Sequence, residues 1–280
     1  HKAGITSADL SAVAVTNQPG LAGSLLVGFS FAKALAWARN IPLLPVNHLA
    51  GHIFSSHLLD DGSFRPLAYP HLAISASGGH SSVYRVSAFG EYTEIGNTLD
   101  DAAGEAFDKI AKLLGLGYPG GAQIEKLAAE VNFQDFFKYP RTKQKSSGYF
   151  FSFSGLKTAI LYDLAKRGYI ELGANTRTPL LTETVRQQVA SSMLVCVGDI
   201  FVHMVHRILR DMPDLQGCAF VGGVACNQYL RTRLTNLCNA ENRFFAASPR
   251  CFSTDNGAMI ALVGAHAFAR GVSAPLSCDI

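Results

Sequence analysis

The chain has 280 residues, 48% of them hydrophobic and 16% charged, with a formal net charge of +3. The hydrophobic share excludes a disordered chain, and the length calls for one large domain or two lobes. The mild positive excess permits a polyanionic partner without requiring one, and no uninterrupted apolar run reaches the roughly 20 residues of a membrane span.

The nearest approach to a span is residues 21–38, broken by Ser24, Ser30 and Lys33. The six cysteines are scattered and form no CxxC, which disfavours a disulfide framework or a structural zinc site. A reducing compartment fits them: the cytoplasm or, as the alternative, the mitochondrial matrix. Nothing at the N-terminus reads as a signal peptide. The chain opens at His1 without an initiating Met, so an earlier segment is expected upstream.

Residues 13–16 read as a short buried strand, punctuated by Pro19-Gly20 and followed by an apolar helix to Arg39. Residues 43–46 form a second strand, and a helix follows with Asn47 placed to cap it. Residues 71–76 form a third strand, ending at Gly78-Gly79. Residues 82–86 and 92–95 make a hairpin. A helix is expected over 100–114, stopped by Gly115, then a turn at Tyr118-Pro-Gly-Gly121 and a helix from Ala122. Residues 136–149 are the least regular stretch and carry Lys138, Arg141, Lys143 and Lys145. Helices from about Ser154 and over 182–210 precede a strand at 218–221, which ends in Gly222-Gly223 and leads into another helix. A last strand at 244–246 and a closing helix over 255–270, with Thr254 or Asp255 at its cap, complete the α/β rhythm.

Four constellations carry chemistry. In His48-Leu-Ala-Gly-His52 the imidazoles lie one helical turn apart on one face and can reach the same ion; two ordinary helix histidines are the alternative. Leu49 stands where an H-E-x-x-H peptidase carries its general base, which argues against a metalloprotease. Three glycine turns, Ser77-Gly-Gly-His80, Tyr118-Pro-Gly-Gly121 and Gly222-Gly-Val-Ala-Cys-Asn227, allow close backbone approach to a ligand and point to a nucleotide site, although none is a Walker A loop. In the run Asp100 to Asp108, the residues Asp101, Glu105 and Asp108 share helical spacing. A solvated acidic face is the default there, and a carboxylate bonding a ribose or an amide is the alternative. The fourth is Ser253-Thr-Asp-Asn-Gly257. It reads as a helix cap, and Asp255 would also complete a two-His-one-carboxylate set with His48 and His52.

Taken together in order, Val46-Asn-His-Leu-Ala-Gly-His52, Ser77-Gly-Gly-His80, residues 100–109, Leu113-Leu-Gly-Leu-Gly-Tyr-Pro-Gly-Gly121, Phe151-Ser-Phe-Ser-Gly-Leu-Lys157, Gly222-Gly-Val and Thr254-Asp-Asn-Gly-Ala-Met259 make the chain closely resemble the tRNA threonylcarbamoyladenosine transferases. The match runs over nearly the whole chain and is nearest to bacterial members. The resemblance implies a two-lobed, actin-like ATPase fold of the ribonuclease H-like kind, its first lobe lacking the opening strands and acidic hairpin before His1. The lobes would be residues 1–72 with 257–280 packing back, and residues 73–256, the metal and nucleotide lying in the cleft between them. It implies one divalent metal per subunit, iron ahead of zinc, on His48, His52 and Asp255. It implies contacts to threonylcarbamoyl-AMP from Ser75, Ala76, Ser77, Gly78 and Gly79, and from Asp108, Gly121, Glu125 and Asn227. The implied reaction moves the threonylcarbamoyl group to the exocyclic amine of an adenosine beside the anticodon, in tRNAs that read codons starting with A, and releases AMP. Implied partners are tRNA, a shortened paralogue forming a heterodimer and a small P-loop ATPase, with no membrane. The helix over residues 19–39 is a candidate pairing surface, and the basic stretch from Lys138 to Lys145 a candidate tRNA contact. Ala76 and Cys226 depart from the family's usual Val and Ser or Ala. A related actin-like ATPase or sugar kinase, and a non-catalytic scaffold, are the competing readings.

Overall fold

Short apolar strands alternate with longer helices in the computed structural model, which describes residues 4–141, 148–171 and 181–280. In chain order the elements are β1 (Val13–Gln18), α1 (Ala22–Arg39), β2 (Leu43–Asn47), α2 (His48–Phe54), β3 (His71–Ala76), β4 (Ser81–Ala88), β5 (Glu91–Asn97), α3 (Ala103–Leu113), α4 (Gly120–Glu130), α5 (Ser154–Lys166), α6 (Glu183–Asp211), β6 (Gly217–Val221), α7 (Gln228–Ala240), β7 (Phe244–Ala247), α8 (Arg250–Ser253) and α9 (Gly257–Ala269). They gather into two units. The first holds His1–Leu67, Ala88–Glu91 and Ser248–Ile280, and the second holds Ala68–Ser87 and Tyr92–Ala247. These edges differ from 72 and 257. Strand β3 pairs with β4 and β6 and so belongs wholly to the second unit. The stretch before α9 is tied to α2 through Asp255 and so belongs to the first.

In the first unit β1 and β2 run parallel, Val13 facing Leu43 and Thr16 facing Val46, with α1 as the crossover between them. Helix α1 buries Phe29, Ala32 and Ala36, spaced as one helical face, against Leu43. Its other side leaves Val27, Phe31 and Trp37 at least 70% exposed. Asn40 ends the helix in the left-handed conformation, φ 51°. Asn47 caps α2 as its sequence position suggests, its Oδ1 accepting from the N–H groups of Leu49 (2.8 Å) and Ala50 (3.3 Å).

Helix α9 closes on this frame through two glycines. A Cβ at Gly264 would stand 2.4 Å from the Ala14 Cβ on β1, and one at Gly51 on α2 would stand 2.9 Å from Ile260 Cδ1. Val46, Met259 and Ile260 fill the space between. Phe54, His57 and His266 pack around Phe89 at 4.4–5.2 Å between ring centroids.

The second unit is built on a five-stranded sheet in the order β5-β4-β3-β6-β7. β3 and β6 are parallel and buried along their whole length, which is why both read as continuous apolar or small-residue runs. Helix α6 is the one helix among the described residues long and apolar enough to cross a membrane; 72% of its most apolar window is buried inside the chain, and it serves as the core helix of this unit. Residues 21–38, which drew attention in the sequence, are not that helix.

Replacing Gly264 by Val puts a branched side chain where even a single Cβ collides with Ala14. Overpacking of this kind costs about 1–3 kcal/mol. The variant is expected to unfold roughly 2–10 °C below the parent in a calorimetric scan.

Candidate functional site

The closing helix does not begin at Asp255. Asn256 is its cap: its Oδ1 accepts from the Met259 N–H (2.9 Å), and its Nδ2 donates to the Thr254 carbonyl (2.8 Å). Upstream, the Ser253 hydroxyl is buried and bonded to the carbonyls of Ser248 and Pro249. With the capping role filled by its neighbour, the Asp255 carboxylate projects toward α2. Its Oδ1 lies 3.2 Å from His48 Nε2 and 3.1 Å from His52 Nε2, across a sequence separation of 203 residues for the second pair. The imidazoles stand edge to face with centroids 4.7 Å apart. His52 is buried, His48 is partly buried and Asp255 is open to solvent.

The ligand atoms of these three residues lie within 4.8 Å of one another, and the described residues hold no other cluster of this kind. Donors held about 2.0–2.2 Å from one ion stand about 3.0–3.5 Å apart. The two spacings to Asp255 fall in that range, and the set as a whole spans up to 4.8 Å, so a small inward movement of the imidazoles would let all three donors meet on one divalent ion. Two imidazoles and one carboxylate also leave coordination positions open for a substrate or water. Gly51, between the histidines, is what lets Met259 and Ile260 come close enough to α2 to bring Asp255 there.

The residues nominated for a nucleotide all lie in the second unit. Ser75 and Ala76 are buried at the end of β3, and Ser77, Gly78 and Gly79 form the turn beyond it. That turn sits against the start of α3, where the Gly104 N–H donates to the Ser77 carbonyl (3.1 Å) and a Cβ on Gly104 would be 2.6 Å from that oxygen. The neighbouring turn after β6 passes equally close. Gly222 has φ +88°, and a Cβ there would meet the Ala76 carbonyl oxygen at 2.5 Å. Around Gly78 and Gly79 no atom lies within 4 Å of a built Cβ, so the backbone there is open to approach.

Asp108, Glu125 and Asn227 share a role that the sequence did not disclose. Each directs a side-chain oxygen at the start of a helix: Asp108 Oδ1 accepts from Gly120 N–H (2.8 Å), Glu125 Oε1 from Tyr229 N–H (2.9 Å) and Asn227 Oδ1 from Leu230 N–H (2.9 Å). Gly121 follows in the first turn of α4. The Asn227 Nδ2 is buried and has no hydrogen-bond partner, which leaves a donor available to a ligand.

The acidic run differs from its sequence reading. The helix begins at Ala103, not at 100, because Asp100 is engaged elsewhere. Its carboxylate accepts from the Ser152 and Ser154 hydroxyls (2.6 and 2.7 Å) and from the N–H groups of Phe153 and Ser154 (2.8 and 3.2 Å), and so caps α5 from a distance. Burial works to raise the Asp100 carboxyl, but the Ser152 hydroxyl, the Phe153 N–H and the Ser154 groups outweigh it and hold the group below its usual range. Asp101 and Glu105 are paired with Lys109, which accords with the default reading of an acidic helix face. In the basic stretch, Arg141 is engaged by Asp135 and Asp199. Lys143 and Lys145 lie outside the described residues.

The model of a family described as tRNA N6-adenosine threonylcarbamoyltransferase matches residues 1–262. Proteins of that name from Desulforapulum autotrophicum and Bacillus subtilis are similar to the chain. The first is 41% identical over 282 residues, covering 100% of this chain and 79% of that protein; the second is 40% identical over 276 residues, covering 97% and 74%. Among solved structures, the HypF of T. kodakarensis superposes with a TM-score of 0.61 at 14% identity, covering 94% of this chain and 41% of that one. A full-length HypF in a phosphate- and nucleotide-bound form gives 0.63 at the same identity, covering 94% and 40%. Together with the family match, these superpositions place the chain in the α/β, actin-like fold class.

Two outcomes are expected. His48→Ala, His52→Ala and Asp255→Ala each remove one donor of three and should weaken binding of Fe(II) or Zn(II) by about 100-fold or more, read by competition with a chromogenic chelator. Asp100→Asn tests the distant cap. A carboxyl whose pKa is depressed on folding stabilises the fold above its unfolded pKa of about 3.9, and that stability is lost as pH falls through the folded value. The variant should therefore melt lower than the parent at pH 7, and the gap should close as the solution is acidified below about pH 4.

Proposed function

Since the chain belongs to the family of tRNA N6-adenosine threonylcarbamoyltransferases, we propose that it moves a threonylcarbamoyl group from threonylcarbamoyl-AMP to the N6 amine of an adenosine beside the anticodon, in tRNAs that read codons starting with A. The observation that carries this reading is the arrival of Asp255 at hydrogen-bond distance from both His48 and His52 in a chain matched by that family over residues 1–262. The amine nitrogen forms a bond to the carbamoyl carbon, the bond from that carbon to the phosphate oxygen breaks, and AMP departs with the electron pair. The proton shed by the amine passes to the departing phosphate or to water.

His48, His52 and Asp255 would hold one divalent ion. An all-N/O donor set with open positions and no thiolate suits ferrous iron ahead of zinc. When bound, such an ion supplies Lewis acidity that polarises a carbonyl and offsets developing negative charge. In the second unit, the open backbone at Gly78 and Gly79 would receive the phosphate. Ser75, Ala76 and Ser77 support that turn. The free edge of Asp108, the first turn of α4 at Gly121, Glu125 and the Asn227 Nδ2 would orient the nucleoside.

Partners are proposed on the same footing. The exposed apolar side chains of α1, Val27, Phe31 and Trp37, suit pairing with a shortened paralogue, since large apolar groups left open to solvent on one helix favour an interaction surface. A small P-loop ATPase would complete the assembly, and the cytoplasm is the proposed compartment.

The test is to incubate the full chain and its partners with tRNA, threonine, bicarbonate and ATP, and to digest the tRNA for mass analysis of its nucleosides. Threonylcarbamoyladenosine is expected with the parent, and its rate of formation should fall by about 100-fold or more in His48→Ala and Asp255→Ala. An undiminished rate in those variants overturns the role given to the three side chains. A phosphorylated product formed by metal-free protein would point to phosphoryl transfer in its place.

A further inference from the structure

We propose that Tyr229 and Arg233 are positioning residues for adenylate binding, setting the first turn of α7 so that Glu125 and Asn227 are presented together; this rests on the adenylate reading above. Glu125 comes from α4 and Asn227 precedes α7, so nothing in their own elements fixes one relative to the other. What relates them is a pair of consecutive peptide groups. Glu125 Oε1 accepts from the Tyr229 N–H and Asn227 Oδ1 from the Leu230 N–H, both at 2.9 Å. A shift in the first turn of α7 therefore moves both side chains at once.

That turn is anchored by the Tyr229 ring. The ring stacks on Phe133, with centroids 4.7 Å apart and planes 24° apart. It also lies against Gly198 of α6, where a Cβ would come within 2.9 Å of its Cε1. The Arg233 Nη1 donates to the phenol oxygen (2.7 Å), and the same guanidinium lies 5.6 Å from the ring centroid. Arg233 Nη2 donates to Asp199 Oδ1 (2.7 Å), Arg141 Nε to Asp199 Oδ2 (3.0 Å) and Arg141 Nη2 to Asp135 Oδ2 (2.5 Å). Two guanidinium groups and two carboxylates thus balance in charge. Arg233 is engaged on both arms, so its part is geometric rather than that of a phosphate ligand. Meanwhile the Asn227 Nδ2, buried and without an acceptor, gives the positioned turn a group for a ligand to engage.

The test compares Tyr229→Phe and Arg233→Met with the parent. Readouts are KM and kcat with threonylcarbamoyl-AMP, AMP binding by calorimetry, melting temperature and metal content. Removing the phenol oxygen deletes one hydrogen bond while keeping the stacked ring. Tyr229→Phe should raise KM and weaken AMP binding by about 3- to 10-fold, with kcat within about 2-fold and metal content unchanged. Arg233→Met should go further in the same direction, and Arg233→Lys should not restore the parent value, because a single ammonium nitrogen does not reproduce the two separately directed arms of the planar guanidinium. If Arg233→Met does not fold, Tyr229→Phe decides alone. Parent-like KM and AMP affinity in Tyr229→Phe, or a fall in kcat with KM unmoved, overturns the positioning role while leaving the adenylate reading intact. A parent protein that neither binds AMP nor consumes the adenylate overturns both.

Discussion

Everything at the metal-type cluster depends on how closely α9 can approach α2 and β1. Helices usually pack with axes 8–10 Å apart, and the lower end requires small residues at the contact. Gly51 and Gly264 provide them, one on each side of α9's contacts, with Ile260 and Ala14 occupying the space a side chain would need. Because Asp255 sits just before α9, the position of that helix is also the position of the carboxylate. The histidines need no comparable arrangement: one turn of α2 places them side by side, and Asn47 fixes where that turn begins.

A second theme is the engagement of polar side chains at helix starts. Asn47, Asn256 and Asn227 cap their own helices, whereas Asp100, Asp108 and Glu125 reach the starts of helices distant in the chain. Unmet N–H groups at a helix start favour an anionic or carbonyl oxygen. The same preference makes these places suited to ligands. In the second unit Asp108, Glu125 and Asn227 each hold a helix end with one oxygen, and under the function proposed above their remaining polar atoms would be left for a bound molecule. Asn227 displays this division most clearly, with one side of its carboxamide bonded and the other buried without a partner.

The charged residues divide along similar lines. Arg141 looked in sequence like part of a basic tract for phosphates, yet carboxylates from two other segments engage it. A local run of positive charge reports composition, and whether any member is free depends on which acidic groups the fold brings beside it. Lys109 makes the same point from the other side, since it balances Asp101 and Glu105 in the acidic run.

The α/β alternation, the histidine pair, the helix capped by Asn47 and the glycine turns after β3 and β6 are all legible in the order of residues alone. Each of these is a local property, set by hydrophobic period, by one turn of helix or by the conformational freedom of glycine at a strand end. The sequence alone misplaced the starts of α3 and α9, expected at Asp100 and Asp255, because neighbouring residues do not show that either carboxylate is engaged outside its own helix. The tertiary structure decided those cases: Asp100 found Ser152, Phe153 and Ser154, and Asn256 took the cap of α9 and left Asp255 to the histidines. It also decided the caps made by Asp108 and Glu125 and the linkage of Tyr229 to Asp199 through Arg233. The physical reason is common to all of them. A carboxylate or amide bonds whichever donor folding brings within about 3 Å, and for groups separated by tens to hundreds of residues that proximity is fixed by the packing of helices and strands, not by any spacing along the chain.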